Sequence, residues 1–90
     1  MPERTTVLLI DEHAESRRSL AEILRAHGYA VAEVAEGKRA LTVLRSSRVQ
    51  AAVIALELGE VDAMSVLRQL VQERAGLPIV AVTAVASMEL

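Results

Sequence analysis

Hydrophobic and polar positions change their period several times along the chain, and each change predicts an element. Residues 6–11, TVLLID, are a β-branched and apolar run ending in an acid, the mark of a strand buried on both faces. From Glu15 to His27 the spacing becomes helical, with Leu20, Ile23, Leu24 and His27 on one stripe and Gly28 following as the stop. YAVAEVA (29–35) predicts a second strand. Gly37 leads into a second helix with Ala40, Leu41 and Leu44 inward. AAVIAL (51–56) predicts a third strand. Asp62 then caps a third helix that turns Val66, Leu67, Leu70 and Val71 inward. Gly76 and Pro78 end that helix, and PIVAVTAV (78–85) predicts a fourth strand.

Alternation of this kind, β-α-β-α-β-α-β with short connections, implies a parallel sheet with helices on both faces. The 90 residues are expected to form one domain, with no linker or repeat to divide them. In such sheets chemistry gathers at the C-terminal ends of the strands. Those ends are Asp11-Glu12, Ala35-Glu36, Ala55 to Glu57, and Thr83-Ala84.

Composition narrows the field. Tyr29 is the one aromatic residue, which leaves no stacking platform for single-stranded nucleic acid. The net charge is −2 with both signs interspersed, so no field draws the chain to DNA or to an anionic membrane. Cysteine is absent, and with it disulfide and thiol chemistry. MPERTT lacks a signal peptide's apolar core and no apolar run approaches a membrane span, so a cytoplasmic domain without membrane or direct nucleic-acid contact is expected.

Two adjacent acids past a strand repel each other and favour a cation, a shared proton or splaying into water. Mg²⁺, which keeps several of its waters, suits a small set of oxygen ligands. His13 beside them is too weak a pattern for a transition-metal site, and His27 is expected to be a satisfied, partly buried histidine.

VLLIDEH, SRRSLAEILRAHGYAVAEVAEGKRAL, VQAAVIALELGEVDAMSVLRQL and LPIVAVTA together resemble the receiver domain of response regulators over about the first three quarters of that fold. The resemblance implies a doubly wound, flavodoxin-like α/β sheet, truncated here to strand order 2-1-3-4. It also implies a phosphoacceptor Asp at the end of strand three, an Mg²⁺-binding acidic pair after strand one, a Thr or Ser after strand four and a Lys after strand five. By position the pair is Asp11 and Glu12, the hydroxyl is Thr83, and Glu57 lies where a backbone carbonyl reaches the metal. Gly59 replaces the usual proline, and Ala63 the glycine that usually follows the acid at Asp62.

Ala55 occupies the phosphoacceptor position. A methyl group neither attacks a phosphoryl donor nor ligates a metal, so the expected Mg²⁺ site is weak or empty and no cofactor is required. Glu57, two residues on, is expected to be a solvent-facing loop glutamate, since strand geometry often ends at this point; if the strand continues instead, it would share a side with Ala55 and place a standing negative charge near the vacancy. The expectation is a phosphorylation-independent interaction module and not an enzyme. The alternative is phosphorylation on Asp11, Glu12 or Glu57. No Lys is placed to assist it, since Lys38, the sole lysine, begins the second helix. A nucleotide- or flavin-binding sheet fails because DEHAES after strand one would repel phosphate. Leu90 falls just after strand four, before the family's fourth helix and fifth strand. That strand is therefore expected to be an exposed edge, with Ile79, Val80 and Val82 available to a protein partner or to a second copy as a homodimer.

Overall fold

A computed structural model describes residues 4–56 and 61–83, with backbone alone at 56, 61–63 and 83. Four strands and three helices alternate as β1 (Thr6–Ile10), α1 (Ala14–Ala26), β2 (Ala30–Val34), α2 (Gly37–Ser46), β3 (Ala51–Leu56), α3 (Val61–Glu73) and β4 (Ile79–Thr83). The strands are all parallel, in the order β2-β1-β3-β4, as the alternation requires.

Register decides which side chains share a face. Leu8 pairs with Ala32 and Ala52, and Ile10 pairs with Val34 and Ile54. Because strand side chains alternate, these residues form one face of the sheet. They pack with Ala40 and Leu44 of α2, Leu70 of α3 and Val49 of the α2–β3 connection into the main core. Val7 and Leu9 point the other way and are buried on the side where α1 packs over β1 and β2. Ala21 of α1 is fully buried, its small side chain letting the helix lie close to the sheet.

α1 ends as its sequence dictates. Gly28 has φ +93° and donates to the Arg25 carbonyl at 3.0 Å, while the Tyr29 amide donates to Leu24 at 3.1 Å. This paired closure needs a left-handed residue, and glycine adopts that conformation without a Cβ penalty.

Several expected positions shift. The inward stripe of α1 runs through Arg17, Leu20, Ala21 and Leu24, so Ile23 is 55% exposed and His27 is exposed too. His27 lies past the helix end, where its Nδ1 meets the Ile23 carbonyl at 2.9 Å in solvent. Val71 is likewise exposed: in α3 it is Leu70 that faces the core. α3 begins at Val61, which places Asp62 in the first turn instead of ahead of it. β1 ends at Ile10, although the Asp11 amide still donates to Val34 at 3.1 Å and prolongs the ladder by one bond.

Candidate functional site

The strand ends converge on the region the sequence indicates. The last pair between β1 and β3 is Ile10 with Ile54, so the next residues, Asp11 and Ala55, are neighbours on the α1 side of the sheet. Ala55 is half-buried and pairs with Val82 of β4 on its other flank. What stands beside Asp11 at this end is therefore a methyl group, with a valine beyond it.

Asp11 is 3% exposed, the one buried charged residue among those described. Such burial is costly unless the charge is hydrogen-bonded. Both carboxylate oxygens are engaged: the His13 amide donates to Oδ1 at 2.9 Å and the Ser16 hydroxyl donates to Oδ2. Arg17 reaches back to donate from Nη1 to the Asp11 carbonyl at 2.9 Å. Its Nε lies 3.5 Å from Glu33 Oε1, and Arg25 Nη1 lies 3.1 Å from Glu33 Oε2. A polar chain thus ties the first turn of α1 to the end of β1 and, through Glu33, to β2. Ser16 and Arg17 were not singled out by motif reasoning. The signal available was an Asp just ahead of a helix with a hydroxyl in its first turn.

Glu12 behaves differently. Its side chain is 55% exposed, with His13 Nε2 3.9 Å from Oε1. The adjacent acids therefore splay, one into the fold and one into solvent. Glu57 and the side chain of Thr83 lie outside the described residues.

As a donor set for a hard cation these residues fit poorly. Mg²⁺ demands near-octahedral oxygen ligands and an approach wide enough for its retained waters. Asp11 is enclosed with both oxygens hydrogen-bonded, and Ala55 offers no ligand. Among the described residues no three of His, Cys, Asp and Glu gather round a common point.

The outer side of β4 is the other feature of this end. β4 pairs only with β3 among the described strands. Val80 and Val82, on the α1 side, are 57% and 37% exposed, whereas Ile79 packs against the main core from the opposite face. No described helix is long and apolar enough to cross a membrane.

Residues 7–90 match the family model for the response regulator receiver domain. The response regulator MprA of Mycolicibacterium vanbaalenii is 34% identical over 84 residues, 93% of this chain and 36% of that protein. The regulatory protein VirG of Rhizobium rhizogenes is 38% identical over 64 residues, 71% of this chain and 27% of that protein. The chain thus spans about a third of the length of these relatives. Among solved structures, a CheY-like receiver domain from Methanospirillum hungatei aligns with a TM-score of 0.82 at 22% identity, over 96% of this chain and 69% of that one. TrrA of Thermotoga maritima, in complex with Mg²⁺ and BeF, aligns at 0.81 and 21% identity, over 91% and 71%. Both likenesses are of fold.

Proposed function

The chain belongs to the response regulator receiver domain family, and we propose that within it this chain is a pseudo-receiver, a signalling module acting through protein contacts without phosphoryl transfer. The observation that carries this reading is Ala55 at the end of β3, beside the acidic pair. Phosphoryl transfer to a receiver needs an oxygen nucleophile held where the donor and metal meet. The methyl group there has no lone pair. Asp11, the nearest described carboxylate, is enclosed and hydrogen-bonded, while Glu12 stands in solvent without an organised set of donors around it. These environments favour no substitute acceptor. Thr83 and Glu57 fit as remnants of the ancestral arrangement, and no resident cofactor is required.

Interaction then rests on surface. In the Thermotoga maritima protein the receiver partner is the histidine kinase ThkA, with which TrrA is solved in complex. For this chain we assign the contact to the flank of β4 that faces away from β3, where no other described strand pairs. A flank that pairs with no other described strand, together with exposed Val80 and Val82, favours addition of another strand there, from a protein partner or from a second copy. A homodimer through this edge in the bacterial cytoplasm, serving signal transduction or transcriptional control without touching DNA itself, is the working assignment.

Sedimentation velocity across a concentration series tests it. The wild-type protein should associate reversibly, to the same extent with and without Mg²⁺ and a small acyl-phosphate donor. Val80→Arg should remain monomeric. A size distribution that changes when the donor is added would refute phosphorylation independence, and unaltered association of Val80→Arg would move the contact away from β4.

A further inference from the structure

We infer that Asp11 is not a metal ligand in this chain but the anchor of α1, and that Ser16 is the residue that holds it in that role. This deepens the reading above at its metal site, yet it stands on separate observations, the burial and the hydrogen bonds of one carboxylate.

Three features carry it. Asp11 is 3% exposed, which leaves little of its carboxylate open to a cation carrying retained waters. Its oxygens already have donors from one short segment, the His13 amide on Oδ1 and the Ser16 hydroxyl on Oδ2. The Ser16 hydroxyl has one proton to give, and its other acceptor, the His13 carbonyl, is further away at 3.3 Å. That proton is therefore committed to Asp11. The His13 backbone is extended and its side chain makes no capping bond to α1. The conventional cap is missing, and the carboxylate two residues earlier gathers the first turn in its place. An anion near a helix N-terminus is also favoured by the helix dipole.

The consequence is a change of use. A carboxylate that would face a cation beside a second carboxylate at position 55 faces a methyl group instead, and its oxygens are satisfied by Ser16 of α1 and by the His13 amide just ahead of it. Arg17 reinforces the same junction by holding the Asp11 carbonyl. Divalent metal then contributes nothing to stability, whereas the serine hydroxyl contributes substantially.

Thermal melting of the purified protein with and without millimolar Mg²⁺, alongside Ser16→Ala and Ser16→Thr, tests the assignment. Wild-type Tm should be indifferent to Mg²⁺. Ser16→Ala should lower Tm by about 6 °C or more, as expected when a buried carboxylate loses a charge-assisted hydrogen bond in a domain of this size. Ser16→Thr, which keeps the hydroxyl, should restore most of that loss. A rise of several degrees with Mg²⁺ in the wild type would overturn the inference, because ligand binding to the folded state raises Tm by mass action. An unchanged Tm in Ser16→Ala, or a Thr variant as unstable as the Ala one, would overturn it equally. Neither readout depends on phosphoryl chemistry, so its failure and that of the functional reading are separable.

Discussion

The two faces of the sheet are held in different ways. On the α2–α3 side, Leu8, Ile10, Val34, Ala52 and Ile54 meet Ala40, Leu44, Val49 and Leu70 in a continuous apolar core. On the α1 side the cover is partial. α1 packs over β1 and β2, where Val7, Leu9 and Ala21 are buried, and polar ties from Asp11, Ser16, Arg17, Arg25 and Glu33 fix it. Over β3 and β4 the same face carries half-buried Val53 and Ala55 and exposed Val80 and Val82. The first face supplies stability through hydrophobic burial. The second carries Asp11 and Ala55 at one end and the exposed valines of β4 along its flank.

Substitutions across the sheet should expose this asymmetry, beginning with the sealed face. Leu8→Ala and Ile54→Ala should each cost about 2–5 kcal/mol by chemical denaturation, from lost burial and the cavity left behind. Val80→Ala, on the bare face, should change monomer stability by no more than about 0.5 kcal/mol. Comparable losses at Leu8 and Val80 would abolish the contrast.

Gly37→Ala probes the junction of α2 with α3. A Cβ there would run into the Cγ2 methyl of Val66, a branched side chain with little freedom to retreat. The clash should outweigh alanine's better helix propensity, leaving a net loss of about 1–2 kcal/mol. Combining it with Val66→Ala should cost less than the sum of the two single changes.

On the α1 side, Glu33→Gln removes the acid shared by Arg17 and Arg25. The expected loss is roughly 0.5–1 kcal/mol at low salt, shrinking as ionic strength rises. A loss that did not change with salt would assign Glu33 a packing role instead.

The smallest effect belongs to Arg45 and Glu73, 2.9 Å apart between α2 and α3. The hydrogen bond from Arg45 holds the Glu73 carboxyl below its ordinary value. Because the folded pKa is depressed, this contribution is present above the ordinary glutamate pKa and is lost as pH falls through the lowered one. The pair is exposed, so Glu73→Gln should flatten the acid limb of the stability profile only slightly.

Much of this organisation was legible in the sequence. Switches between period two and helical spacing placed the elements within one or two residues, apart from the end of α2, which no signal marked, and β4, whose structure is described only to Thr83, and the alternation gave the parallel sheet. Ala55 stood out because Asp11, Glu12 and Thr83 keep the family's spacing around it. The particular face of α1 was harder to read. Ile23 and His27 fit the apolar stripe by spacing, but Ala21 lets the helix approach closely and turns Arg17, Leu20 and Leu24 inward. The different fates of Asp11 and Glu12 were also hidden, because adjacent residues of like charge are separated only by the direction the backbone takes after β1. Ser16 gained meaning once that turn brought its hydroxyl to the carboxylate.

The most direct test of the central claim is the intact mass of the wild-type protein after incubation with Mg²⁺ and a small acyl-phosphate donor. An unchanged mass is the predicted result, with Ala55 leaving the receiver fold without its phosphoacceptor. A stoichiometric phosphoryl adduct would contradict it, and peptide mapping would then identify the carboxylate or hydroxyl that had taken over.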